Sequence, residues 1–226
     1  MSVRHQVPDE MLLDFVVGGA SAGKQVLLST HLAMSGASRE RYGMMREVGG
    51  ALLEALDGEP LTQATAERVL RDASVAQLET TTELGRADQR SADKTKLCGT
   101  VLPPPLASIT QHAHDPKVWR TIGFGVKSVL LPCSSPKGRT HLLYARPGVQ
   151  IAPHTHTGEE LVLVLSGAFT DDGEVFEPGD LAVNDSSRVH APVIDTSTPC
   201  LCLVVTEGPI RYTGKAGWLL NRFCQL

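Results

Sequence analysis

The chain has 226 residues, 42% hydrophobic and 20% charged, with a formal net charge of −4, which is ordinary for a globular protein and long enough for one large domain or two small ones. Through residue 90 it carries 9 Lys or Arg against 13 Asp or Glu, and from residue 91 the two are equal at 12, so the acidic excess lies wholly in the first part. This argues against direct nucleic-acid binding there and favours a basic protein partner, although an evenly solvated helical surface would show the same imbalance. Met1 to Gln6 contains no apolar core of signal-peptide kind, and no stretch approaches the ~18 apolar residues of a membrane span. Five cysteines, an odd number, fit a reducing compartment rather than a secreted disulfide framework. A cytoplasmic protein without membrane association is expected.

The first ninety residues read as helices. Pro8-Asp-Glu opens one, with Met11, Leu12, Phe15 and Val16 as its apolar stripe and Gly18-Gly19 as its stop. Ser21 starts a second, along which Val26, Leu27, Leu28, His31 and Leu32 recur. Ser38 is placed to cap a third running to Leu56, where Met45, Gly49, Leu52 and Leu56 keep helical spacing. Asp57-Gly-Glu-Pro breaks the pattern, and a fourth helix carries Val69, Leu70 and Ala73. Such a four-helix unit over residues 1–84 has few large aromatics, so part of its apolar surface is left for a partner to complete.

Residues 85–116, charged, then Ser- and Pro-rich through Pro103-Pro104-Pro105, predict a linker whose apolar part lies along the second domain as an arm. From Trp119 the pattern changes to period two. Val126 to Leu131, His141 to Ala145, Leu161 to Leu165, Leu181 to Asn184 and Leu201 to Val205 are short strands separated by Gly and Pro, which predict an all-β sandwich or barrel over 117–226. The fold class is therefore α+β and multidomain.

The chemistry concentrates in Gly148 to Gly167, G-V-Q-I-A-P-H-T-H-T-G-E-E-L-V-L-V-L-S-G. His154 and His156 share one face of an extended strand, and Glu160 falls on that face if the strand continues. His190 follows an acidic turn thirty residues later. Three imidazoles and a carboxylate suit one divalent metal: zinc first, with iron, manganese or nickel accommodated by the same donors. Zinc held by all four would be a closed site with little room for catalysis. No Ser-His-Asp order, phosphate-binding glycine loop or CxxC is present.

Gly148-x5-His154-x-His156-x3-Glu160-x6-Gly167 resembles the first cupin motif, and Pro178-Gly179-Asp180 with His190 resembles the second. That resemblance implies a jelly-roll β-barrel. Over nearly the whole chain, the order of modules is similar to the ChrR family of anti-sigma factors, in which a helical anti-sigma domain precedes a cupin. Arg4-His5, Thr30-His31-Leu-Ala, Val48-Gly49-Gly50, Trp119-Arg-Thr, Leu130-Leu-Pro132, Cys200-Leu-Cys202 and Pro209-Ile-Arg-Tyr carry it. The resemblance implies a regulator that sequesters an extracytoplasmic-function (group IV) sigma factor and releases it on singlet-oxygen-like oxidative stress sensed by the cupin.

The sequence departs from that family at one place. Where the family has HxxxCxxC, here stand His31, Ser35 and Ser38, and the further ligand near the N-terminus would have to be His5. A serine hydroxyl stays protonated near neutral pH and is a poor zinc ligand, so no structural zinc is expected in the helical domain. Cys200 and Cys202, two apart on one strand, face one side; they are candidate redox sensors or soft ligands, or simply small buried hydrophobes. His112 and His114 read as surface histidines, and His141 as a barrel-lining or core histidine. Cys98, Cys133 and Cys224 have no partner pattern. A second function class stays open: a dioxygenase-like cupin metalloenzyme whose helical domain regulates it or drives self-association into a homodimer.

Overall fold

The structure is a computed structural model that describes residues 3–58, 60, 62–71, 96–135 and 138–214. Cys224 and residues 72–95, where the helical part was expected to pass into the linker, lie outside the described residues.

Helix α1 (Asp9–Val16) has Asp9 and Glu10 in its first turn, where they complement the helix dipole, and it buries Leu12. Helix α2 (Ala22–Met34) is capped by Ser21, whose hydroxyl accepts from the Lys24 amide. It buries Leu27, Leu28, Thr30, His31 and Leu32. Helix α3 (Gly36–Glu54) begins earlier than the expected Ser38 start, because Ser35 is the cap: its Oγ accepts from the Ser38 amide at 3.2 Å. Ser38 already lies in the first turn, with its own hydroxyl engaged elsewhere. Arg41 of α3 ties down the approach to α1 through Asp9, Gln6 Oε1 and the Val7 carbonyl. Residues 63–71 form α4.

The described part of the expected linker is folded. Lys96–Leu97 (β1) and Thr100–Val101 (β2) make a small antiparallel hairpin. The proline run then opens helix α5 (Pro104–Ala107), where the missing amide of a proline at the first helical position costs nothing. Two 3-10 turns, Gln111–His114 and Pro116–Val118, follow. Leu97, Leu102, Leu106 and Ala113 are buried, so this arm is a packed layer rather than a spacer.

The main sheet has six antiparallel strands. Their spatial order is β10 (Leu181–Asn184), β7 (Glu160–Ser166), β12 (Cys200–Thr206), β5 (Arg139–Ala145), β4 (Val126–Leu130) and β3 (Arg120–Gly123). The opposing layer holds β11 (Val193–Ile194), β8 (Phe169–Asp171) and β9 (Glu174–Phe176), and beside them β13 (Ile210–Tyr212) and β6 (His154–His156). The bridges His154↔His190 and Gln150↔Val193 join the two groups. The strand pattern called for a sandwich or barrel, and the result is the two-layer jelly roll that the cupin resemblance implies.

Every residue of β12 is buried. Leu201, Leu203 and Val205 enter a core shared with Leu12, Leu27, Leu28 and Leu106, while Cys200, Cys202 and Val204 enter the barrel interior with Val164, Phe169 and Ile194. The helical layer therefore packs directly on the outside of the barrel. Gly23 permits the approach of α2: a Cβ there would lie 2.1 Å from Thr140 Oγ1 on β5. Lys24 Nζ reaches Glu159 at 2.8 Å and Glu207 at 3.1 Å in the barrel loops. Burial opposes its charge, but the two carboxylates outweigh burial and raise its pKa. At the other end the Asp180 carboxylate accepts from the backbone amides of Arg4, His5 and Glu177 at 2.7–2.9 Å. Gly167 closes the strand-to-strand turn at φ +73°, with the Pro199 carbonyl 2.2 Å from where a Cβ would stand.

Because Leu203 is fully buried in the shared core, Leu203→Ala is expected to cost about 3 kcal/mol. Helical and β signals should fall together in one transition when thermal unfolding is followed by circular dichroism. Separate transitions would show that the two layers do not share stability.

Candidate metal centre

His154 and His156 lie on one face of β6, as the alternation of a strand requires. Glu160 arrives differently from the expected continuation of that strand. The chain turns at Thr157 to Glu159 and enters β7, which belongs to the other sheet, so the carboxylate meets the imidazoles across the barrel. Gly158 allows this crossing, since a Cβ there would lie 1.6 Å from the Glu207 carbonyl oxygen. His190 is brought in by reciprocal backbone bonds with His154, each 3.0 Å.

One donor atom from each of His154, His156, Glu160 and His190 lies within 4.8 Å of the others, and all four residues are buried. His156 Nε2 is 3.0 Å from His190 Nε2 and 3.2 Å from Glu160 Oε2. Two imidazoles are oriented from behind: His154 Nδ1 donates to the Ala152 carbonyl at 2.8 Å, and His190 Nδ1 donates to Asp171 Oδ2 at 2.8 Å. Both bonds leave Nε2 free as the inward donor. Asn184 Nδ2 donates to Glu160 Oε2 at 3.2 Å. Asp171 and Asn184 are the members that sequence inspection missed, since nothing in their spacing to the histidines marks them.

The electrostatics suit a cation. Burial pushes the Glu160 carboxyl up, but hydrogen bonding to His156 and the charges of the three imidazoles outweigh it and hold the pKa below the usual value. Burial lowers the His154 pKa, which favours the neutral ligand form. Three imidazole nitrogens and one carboxylate oxygen, inward-facing and with the His154 and His190 rings braced, fit a divalent transition metal ion.

Beside the cluster lies a cavity of about 530 Å³, onto which His154, Glu160 and His190 face and whose wall includes Cys202. The Cys200 and Cys202 sulfurs are 3.5 Å apart and buried. The bond to Cys200, burial and the charge of Glu160 together push the Cys202 thiol well above its usual pKa. His141 shares the inward face of β5 with Leu143 and is 2% exposed, its Nε2 without a partner among the described residues. His112 bonds the Leu130 carbonyl at 3.0 Å, and His114 is exposed.

In the helical layer, His31 Nε2 lies 2.9 Å from Ser38 Oγ, and Ser35 Oγ donates to Ser38 Oγ at 3.1 Å. All three residues are buried. His5 makes none of these bonds; its ring stacks on Phe176 at a 4.2 Å centroid distance, and its Nδ1 lies 3.4 Å from Asp180 Oδ2.

Residues 108–210 match the family described as the ChrR Cupin-like domain. The crystal structure of Rhodobacter sphaeroides SigE in complex with the anti-sigma ChrR contains a chain similar to this one. The two align with a TM-score of 0.72 and 29% identity over 91% of this chain and 99% of that one. The Anti-sigma-E factor ChrR of Cereibacter sphaeroides is 30% identical over 226 residues, the full length of both proteins. The chain belongs to the ChrR family of anti-sigma factors. Within this ChrR-family chain, the His31, Ser35 and Ser38 cluster is a hydrogen-bonded polar knot inside a helical layer that packs directly on the cupin.

Two outcomes follow. Asp171→Asn weakens the brace on His190 and should lower metal affinity about 10–100-fold in a chelator competition assay. Burial holds the His141 pKa down at about 4, against an ordinary 6.5 for histidine. Between those values the unfolded chain binds a proton that the folded chain refuses, so stability falls as pH drops through that window. His141→Leu should therefore lose about 2 kcal/mol less than the parent between pH 7 and pH 5 in urea unfolding.

Proposed function

We propose that this chain is an anti-sigma factor that sequesters an extracytoplasmic-function sigma factor through its helical layer, while the cupin senses oxidative, singlet-oxygen-like stress and promotes release. What carries the reading is full-length relatedness to a protein named Anti-sigma-E factor ChrR, together with the crystallisation of a similar chain with SigE. The surface needed for it is present. Along the second half of α3, Met44, Val48, Leu52 and Leu53 are exposed, as is Leu56 just beyond it. Positions 44, 48 and 52 recur every four residues and form one apolar stripe left exposed among the described residues. Val69 and Leu70 of α4 are exposed too.

In this proposal the helical domain spans residues 1–84 and the cupin 117–226, with the arm between them. His154, His156, Glu160 and His190 hold one divalent ion, zinc in the first instance, which would supply a fixed positive charge joining three chain segments. The helical domain holds no zinc, because His31 Nε2, Ser38 Oγ and Ser35 Oγ are joined by hydrogen bonds and a serine hydroxyl competes poorly for the metal. Among the described residues no helix is long and apolar enough to cross a membrane, and the protein is placed in the cytoplasm with its sigma factor, without direct contact to nucleic acid. Cys200 and Cys202 are assigned to the sensing step. Cys202, held as a thiol, is a weak nucleophile, suited to respond to sustained rather than ambient oxidant.

The test is co-purification with the sigma factor encoded beside the gene, followed by metal analysis. A one-to-one complex with one ion per chain is expected, and Leu52→Glu with Leu56→Glu should weaken it at least tenfold without changing thermal unfolding. Cys200→Ala with Cys202→Ala should retain the partner under oxidant that releases it from the parent. No complex, with iron or manganese in the cupin and oxygen uptake on a small substrate, would overturn the regulator in favour of an enzyme.

A further inference from the structure

We propose that Lys24 is a positioning residue that couples the two layers: it holds the turn that delivers Glu160 to the histidines, so that metal binding in the barrel and the seating of α2 reinforce each other. Use of this coupling in release rests on the regulator reading above. The coupling itself is a property of the chain alone.

Glu160 enters the donor set from β7, at the end of the three-residue turn Thr157 to Glu159. A second segment, Glu207 to Pro209, supports that turn through the backbone. The Glu207 amide donates to the Glu159 carbonyl at 2.7 Å, and the Thr157 amide donates to the Pro209 carbonyl at 3.3 Å. This second segment joins β12 to β13, and Ile210 of β13 pairs with His156. Glu159 and Glu207 thus lie side by side, each adjoining a strand that contacts the donor set, and both are partly withdrawn from solvent. Two neighbouring carboxylates repel each other. The charge that joins them comes from the other layer, as Lys24 Nζ lies 2.8 Å from Glu159 and 3.1 Å from Glu207.

Lys24 is itself held firmly. It stands in the first turn of α2, where its amide bonds the Ser21 cap, and its neighbour Gly23 lies against Thr140 too closely to admit a Cβ. Leu27 and Leu28 follow it into the shared core. On its open side Glu159 borders a hollow of about 350 Å³, lined also by Glu10, Met11, Asp14 and Leu28, so close packing does not fix the turn there. The ammonium therefore references the turn to a seated helix.

Thermodynamic linkage makes the effect mutual: a contact that favours the metal-binding position of Glu160 is favoured in return when Glu160 is engaged. Glu160 so engaged keeps Glu159 in place one residue away, and Glu159 keeps Lys24 and the start of α2 from opening locally. Charge alone predicts the opposite sign for loss of Lys24. Without the ammonium the surroundings of the site are more negative, which attracts a cation, whereas loss of position weakens its binding.

The test uses the full-length chain and zinc. Lys24→Met keeps the apolar stem and should weaken zinc about five- to tenfold in a chelator competition assay. Hydrogen exchange along α2 should be slower with zinc than without it in the parent, and equally fast in both conditions in Lys24→Met. A lysine that merely stabilised the fold would leave the zinc dependence of that exchange intact. Unchanged or tighter zinc binding by Lys24→Met, α2 exchange in the parent that ignores zinc, or the same zinc dependence in parent and variant would overturn the proposal. The exchange measurement on the parent needs no substitution, so it decides even if the variant does not fold. No sigma factor enters the experiment, and failure to capture one bears on the regulator reading alone.

Discussion

Strand β12 has no solvent side, and most of the architecture follows from that constraint. Seven consecutive buried residues require a packed layer on each face of the six-stranded sheet. One layer is the remainder of the jelly roll, which encloses the His/Glu cluster; the other is supplied by α1, α2 and α5. Leucines fill the outer face, where helices must interlock with the strands. Cysteine and valine occupy the inner face, where smaller side chains leave room for a cavity. The same seven residues thus set both the seat of the helices and the size of the chamber behind them. A side chain altered in one layer is felt through the strand by the other.

The candidate metal centre depends equally on two layers. His154 and His156 come from one sheet and Glu160 from the other, so a cation bound by them draws the sheets together instead of decorating one of them. Asp171 and the Ala152 carbonyl set the ring orientations from outside the donor set. In the helical layer the polarity has been resolved differently: His31, Ser35 and Ser38 close on one another and help fix the junction of α2 and α3. The Ser35 hydroxyl serves both that knot and the start of α3.

Much of this was legible in the residues themselves. The strand β10 was found at its observed limits, and the others described from period two were found within a residue or two, because Gly and Pro bound them sharply. The four donors were legible because HxH and the following glutamate have a fixed spacing. How Glu160 reaches them was not, since a three-residue turn between sheets looks in sequence like a continuation of the strand. Ser35 and Ser38 both satisfy the preferences of a helix cap, and only the partner His31 decides which of them does so. The proline run read as a linker because proline seldom lies inside a helix, yet here it opens one. Asp171 and Asn184 were invisible because their role depends on β8 and β10 lying beside residues distant in the chain.

The contact between the N-terminal segment and β10 has a further consequence. β10 is an outer strand of the main sheet, and an outer strand presents unpaired amides on which another chain can add itself. Here the Leu181 amide donates to the His5 carbonyl at 2.9 Å, and Asp180 holds the Arg4 and His5 amides beside it. The residues ahead of α1 therefore serve as a guard rail against edge-to-edge polymerisation, so solubility at high concentration is tied to a few residues that belong to neither the barrel chamber nor α3.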